Sequence, residues 1–507
     1  MYEVTYKQET KNTVRHTVIR RAVEMLTIER AQSCCVRRSY VRDIYDYFKD
    51  LSESHEQEEA LKIDISYIQE WENMHACNIG VKHPEDLSVC YLAGPEPEND
   101  FSEFVSMGIK PQNIWAFECE RSTYLQALTS IDSTDFMQPK LIKTSIERFF
   151  ESSPKTFDIV YIDACASLIS DQHALRCIAS MFKYHRLKSP GVLISNFAYL
   201  DETLTSEKQQ YIDIISRYNF VKDNRNALLL NSQGKMIFND GYESEKKRVE
   251  ENLEDSYGDF VSAMIRNTAS ISIPTVRFCN SNYLQSLSNT TPTPIGTLQF
   301  QDVNTIKDNT LYKYIATNRF LEQTSADFEG IPKIDKLIKE ITAPNGGYDL
   351  LQSFKKLHGI RVNGDDISPD LKDILAFFDK EQSMYQFLDK PNRLLFFDSV
   401  INQLSHPMHY VSEKALRLTY VAKQKRMFTD LMLFDECRYL YDWLPAIHQI
   451  PNAFSNPSWQ YTFRFALDGL IKQRMNYNNE FFFQGSVVQK TVKGFEAKEI
   501  PTRIKIN

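Results

Sequence analysis

Between Leu87 and Asn196 the chain repeats short apolar runs, SVCYLA, NIWAFE, FDIVYIDA and GVLISNF, each rich in β-branched or aromatic residues. Stretches with helical spacing separate them, notably His173 to Tyr184 and Ser206 to Tyr218. Continuous apolar runs of this length, alternating with helices, read as parallel strands buried on both faces and joined by right-handed crossovers. The pattern predicts strands at Ser88–Ala93, Asn113–Phe117, Leu141–Lys143, Phe157–Ile162 and Val192–Ser195. It also predicts a helix from Asp100 to Gly108 and another opened by Ser122, whose hydroxyl suits an N-cap. The fold class is therefore α/β, a doubly wound sheet.

Outside this stretch the pattern changes. Residues 13–51 carry apolar side chains near a 3.6 spacing, and a further helix runs from Ile63 to Cys77. After Tyr218, NALLLNSQGKMIFND reads as two short strands around a turn and ISIPTVRFCNS as another strand, together an antiparallel addition to the sheet's far edge. Highly charged ESEKKRVEENLEDS between them reads as a surface helix or insertion, and SNTTPTPIGT as a linker. From about residue 303 the pattern is mostly helical, as in ILAFFDKEQSMYQFL and MFTDLMLFDECRYLYDWL, with PNAFSNPSWQYTF as an ordered loop. The chain thus divides into three regions: 1–84 helical, 85–287 the sheet domain, and 303–507 a mainly helical C-terminal domain.

Composition narrows the class. With 42% hydrophobic residues, 16 Gly and 19 Pro in 507, the chain is a folded protein of two or three domains. No stretch approaches a membrane span and MYEVTYKQETKN lacks a signal-peptide core, so the expected location is cytoplasmic. The nine cysteines form no Cys-x-x-Cys pair, which favours reduced structural thiols. The net charge of −8 divides unevenly: residues 331–507 hold 24 Lys+Arg against 20 Asp+Glu. Arg15, Arg20, Arg21, Arg30, Arg37, Arg38 and Arg42 enrich the N-terminal helices. These helices and the basic C-terminal region are candidates for a nucleic-acid or protein partner; pairing with neighbouring acids is the plainer reading.

In an open parallel sheet, ligands bind outside the carboxyl ends of the strands, where strand order reverses. The residues at those ends here are Gly94-Pro95-Glu96, Glu118-Cys119-Glu120, Thr144-Ser145-Ile146-Glu147, Asp163-Ala164 and Asn196-Phe197. A glycine after the first strand lets backbone approach a ligand, and an acid after the second can accept ribose hydroxyl protons. Ser145 and Asn196 also serve as ordinary turn formers, Glu120 as a first-turn acid and Asp163 as a cap. His75 and His83 precede the first strand and could close a pocket; His406 and His409 resemble a metal pair only in spacing, so no metal is assigned.

These segments resemble the Rossmann-like fold of class I S-adenosylmethionine-dependent methyltransferases. LAGPEPEND stands for the glycine-rich first motif, FECE for the acidic second, KTSIE for the third and YIDACA for the fourth, over roughly residues 85–240. The resemblance implies S-adenosylmethionine as cofactor, with Gly94 and Pro95 beneath its methionine part, Glu118 on the ribose, Ser145 and Ile146 beside adenine, and Asp163 lining the methyl-transfer pocket as the catalytic candidate. The first motif departs from the pattern in having one glycine followed by Pro95 and Pro97, and the fourth lacks the Asn/Asp-Pro-Pro-Tyr/Phe tetrad of amino-directed nucleic-acid methyltransferases. Two readings stand: a methyltransferase acting on an unidentified acceptor, or a methyltransferase-like binding or assembly subunit of a larger complex.

Overall fold

The computed structural model describes residues 9–132, 140–164, 166–168, 174–201, 205–223, 229–230, 236–237, 241–279, 369, 393–422, 424–478, 492–496 and 498–506. The expected linker, the whole stretch around residue 303 and the expected helix ILAFFDKEQSMYQFL lie outside them. Five parallel strands form as the apolar runs require: β1 (Val89–Leu92), β2 (Ile114–Phe117), β3 (Lys140–Ile142), β4 (Phe157–Asp163) and β5 (Leu187–Ala198). Their order in space, 3-2-1-4-5, reverses between β1 and β4, the doubly wound arrangement.

Helices cover both faces. On one lie α1 (Glu9–Leu26), α2 (Tyr40–Lys49), α4 (Ile65–Ile79) and α5 (Glu98–Ser106), with short α3 (His55–Ala60) at their margin. On the other lie α7 (Ile146–Ser152), α8 (Ala174–Lys183) and α9 (Thr205–Asp223), while α6 (Arg121–Asp132) follows β2. The strands alternate between the two cores. Val89 and Tyr91 of β1, Ile159 and Tyr161 of β4, and Val192 and Ile194 of β5 enter the first; Cys90, Val160, Ile162 and Leu193 enter the second. Each strand residue thus meets a helix layer, which is why the runs are apolar throughout.

Three expectations for the rest of the chain are corrected. The segment after Tyr218 does not extend this sheet: among the described residues β6 (Leu229–Leu230) and β7 (Met236–Ile237) pair with each other alone, and ISIPTVRFC is helical, a π-turn at Thr268–Ser272 continuing into α12 (Ile273–Cys279). Pro274, with no N–H to donate into the preceding turn, follows directly on this π-turn, where the regular helical hydrogen-bond ladder is already interrupted. It follows α10 (Tyr242–Glu251) and α11 (Leu253–Asn267), whose acidic first turns suit their dipoles.

Secondly, the far edge is built by the region expected to be a helical C-terminal domain. After α13 (Arg393–Ser405), β8 (His409–Tyr410), β9 (Leu416–Ala422) and β10 (Lys425–Asp435) join the sheet, β10 antiparallel between β5 and β9. Leu431 and Leu433 of β10 enter the first core, Met432 and Phe434 the second. At about 1.5–3 kcal/mol for each buried side chain, these four alone contribute about 6–12 kcal/mol, comparable to the stability of a whole domain. The strand is integral to the sheet domain.

Thirdly, PNAFSNPSWQYTF is helical, Pro451 standing in the first turn of α15 (Ile450–Phe454) and Pro457 opening α16 (Pro457–Asn478), which follow short α14 (Arg438–Tyr441). α16 packs Phe463, Phe465 and Leu470 into the first core, and β11 (Ile504–Lys505) closes the edge beside β9. No helix among the described residues is long and apolar enough to cross a membrane.

Candidate functional site

The reversal of strand order opens a cleft of about 770 Å³ at the carboxyl ends of β1, β2 and β4. Gly94, Pro95, Glu118, Ser145, Ile146 and Asp163 all line it. They come from the ends of successive strands, and only the crossover topology brings them together.

Each is held by a local device. Gly94 ends β1 at φ +60°, a conformation costly to residues with a Cβ, and a Cβ there would point into open space. Tyr91 donates to the Pro97 carbonyl at 2.8 Å, tying the proline-rich turn back to β1. The Glu118 amide donates to Ile142 O at 3.1 Å, and one oxygen of its side chain, Oε1, accepts the Glu120 N–H at 2.7 Å. Oε2 has no hydrogen-bond partner among the described residues. Glu120 caps α6 through Ser122 N at 3.4 Å, the first-turn role expected of it. Ser145 is the N-cap of α7, accepting from Arg148 N at 3.3 Å, so its hydroxyl proton is still free to be donated.

Sequence reasoning missed what covers the cleft. Lys11 and Arg15, one turn apart on α1, reach it from above: Lys11 Nζ pairs with Asp163 Oδ2 at 2.9 Å and Arg15 Nε with Asp100 Oδ1 at 2.6 Å. Asp100 in α5 is buried, and burial, reinforced by nearby Asp163, pushes its carboxyl up to about 6 against the pull of Arg15. The second oxygen of Asp163, Oδ1, accepts from Asn196 Nδ2 at 2.7 Å, and Asn196 Oδ1 in turn accepts from Thr429 Oγ1 of β10 at 2.8 Å. The C-terminal strand therefore orients a cleft residue. On the opposite wall Arg176 Nε pairs with Glu147 at 2.6 Å. With those cations paired, the acids Glu96, Glu118 and Glu120 leave the lining negative.

The histidines lie elsewhere. His75 is buried, its Nε2 2.8 Å from Val36 O, and His83 sits in the turn before β1. His406 faces Glu436 at 3.8 Å, whereas buried His409 meets Tyr441 OH at 2.7 Å, so the two do not converge. A different group does: the Sγ atoms of Cys35 and Cys437 and a carboxylate oxygen of Asp435 lie within 4.8 Å of one another. Both Asp435 oxygens are already filled, Oδ2 by Cys35 N and Tyr439 OH and Oδ1 by Cys437 N and Ser189 Oγ, which makes this a closed hydrogen-bonded knot. Of the N-terminal arginines, Arg15, Arg20, Arg21, Arg37 and Arg42 pair with acids of the same chain and Arg30 with main-chain carbonyls; Arg38 is exposed and makes no ion pair among the described residues.

No family model matches the chain, and no curated protein matches it. Among solved structures it aligns with one from Staphylococcus aureus described as a "putative caffeoyl-CoA O-methyltransferase", at 14% identity and TM-score 0.18, over 44% of this chain and 88% of that one. A superposition that loose carries no argument; the strand order and the cleft carry the functional reading.

Proposed function

We propose that the cleft binds S-adenosylmethionine and that the chain is a methyltransferase. The observation that carries this reading is the convergence of Gly94, Glu118, Ser145 and Asp163 on one cleft at the switch point, with a lining rich in acid. Oε2 of Glu118 accepts a ribose hydroxyl proton, its other oxygen being fixed by the Glu120 amide. Ser145 donates its hydroxyl proton to the adenine edge, and Ile146 packs against the ring. The bare backbone at Gly94 and the stiff Pro95 turn admit the amino-acid end. When bound, the cofactor supplies a methyl group on a sulfonium centre, transferred by in-line displacement. Glu96, Glu118 and Glu120 favour such a cation and disfavour a pyrophosphate. Asp163, held between Asn196 and Lys11, faces the acceptor as a fixed charge.

Calorimetric titration with S-adenosylmethionine and S-adenosylhomocysteine tests the reading. Glu118→Ala removes a hydrogen bond to a charged group, worth about 1.5–3 kcal/mol, so binding should weaken about 10- to 100-fold. Wild-type protein that binds neither ligand, or a variant that binds as well as wild type, overturns it.

One observation favours the rival reading of a non-catalytic assembly subunit: Lys11 already occupies the Asp163 carboxylate. Under that reading Lys11→Ala leaves the protein without methyl transfer to any acceptor. Under ours, the variant shifts KM or kcat of a measurable reaction.

A further inference from the structure

The opposite end of the sheet holds a second concavity, of about 530 Å³, bounded by the chain after α4, the start of β5 and the end of β10. That volume falls in the range of small-molecule sites. Its lining includes Arg30, Lys82 and Lys188.

Arg30 is 4% exposed, and its guanidinium donates only to main-chain carbonyls, Nε to Ile79 O at 2.8 Å and Nη1 to Leu26 O at 3.4 Å. No carboxylate lies within ion-pair distance of it among the described residues; Asp158 and Asp435 act on it from farther off, and burial pulls its pKa down. Lys82 and Lys188 both converge on the fully buried carboxylate of Asp158, Lys188 at 2.8 Å, and Lys188 also donates to Ser88 Oγ at 3.0 Å. Burial lowers the pKa of Lys82, and Lys188 and Arg30 lower it further by repulsion. Two of the three cations thus pair with one acid, and the third with none among the described residues.

On the far wall Asp435 and Glu436 are further acids, but neither lies within ion-pair distance of Arg30, Lys82 or Lys188 among the described residues: both oxygens of Asp435 are held by other donors, Glu436 lies between His185 at 3.6 Å and His406 at 3.8 Å, and Arg438 is paired with Asp442. A buried guanidinium that meets only main-chain carbonyls, its nearest acids lying beyond ion-pair distance, is stabilised further by an anion that meets it directly.

We propose that this cavity binds the phosphate group of a small molecule, with Arg30, Lys82 and Lys188 as its donors. The site is separate from the methyl-donor cleft and does not depend on that reading. Free phosphate and a phosphomonoester offer the same group, and the remaining volume beside Thr156 and Gly80 is room for an ester's organic part.

The test is calorimetry and thermal denaturation with inorganic phosphate and with glycerol 3-phosphate, at ionic strength held constant with chloride. Both ligands should bind and raise the melting temperature where chloride does not; the tighter of the two identifies the source. Thr156→Glu and Val81→Glu each set a carboxylate in the lining while leaving Asp158, Lys82 and Lys188 in place, and Val81 is 85% exposed, so that variant keeps the fold. Each should weaken phosphate binding at least about tenfold, while Glu118→Ala leaves it unchanged. Dissociation constants above about 10 mM for both ligands, an adventitious ion only, or carboxylate variants that bind like wild type, overturn the proposal.

Discussion

The two ends of the sheet solve the same electrostatic problem in opposite ways. At the carboxyl ends each of the two cleft cations of α1 has its own acid, Lys11 with Asp163 and Arg15 with Asp100, and acids remain over. At the other end two lysines divide one acid and Arg30 has none. A paired charge fixes geometry, while an unpaired one is held in readiness for a ligand of opposite sign. A cation therefore suits one end and an anion the other.

Four perturbations put this contrast at risk. The largest effect is expected from Asp158→Asn, which strands two lysines at once and should cost about 3–5 kcal/mol in urea denaturation. A wild-type midpoint would mean the lysines are satisfied by solvent and the basic end is not built as described. Arg15→Met at the acidic end should cost about 3 kcal/mol by leaving Asp100 buried and alone, and the double variant with Asp100→Leu should recover most of that loss.

Acid should act on the two ends with opposite sign. The Asp100 carboxyl is raised to about 6 by burial, so the folded state binds its proton first, and its contribution to stability rises as pH falls from about 6 toward 4. Glu436 is held down to about 2: burial opposes its ionisation, but His185 and His406 outweigh that cost, so its contribution is lost as pH falls from about 4.5 to 2. Stability–pH curves of Asp100→Asn and Glu436→Gln should each flatten in its own window; a shared window for both would sink the assignment. The smallest change is Thr429→Val, which removes one neutral hydrogen bond at about 1 kcal/mol. Its informative readout is weaker S-adenosylmethionine binding through a misoriented Asn196–Asp163 pair, since a merely structural role would lower stability alone.

The five parallel strands and the ring of residues at their carboxyl ends were legible, because a strand buried on both faces announces itself as a short apolar run. β10 has the same burial, yet MFTDLMLFDECRYLYDWL continues into a helix, and its apolar positions satisfy helical and extended spacing alike. Pro451 and Pro457 read as parts of a loop where they in fact open helices, and Pro274 lies in a helical run whose sequence reads as a strand. Lys11 and Arg15 were hidden for another reason. Nothing local distinguishes Arg15 from its exposed neighbours, since its partner Asp100 lies 85 residues away.

The pairing of β5 with β10 has a consequence for how the protein is made. Ala198 waits for Met427, more than two hundred residues downstream. A ribosome adding 5–20 residues per second leaves the edge of β5 from Gly191 to Ala198 unpaired for about 10–45 s. During synthesis that edge, apolar and open, is the part of the nascent chain most in need of a chaperone's protection.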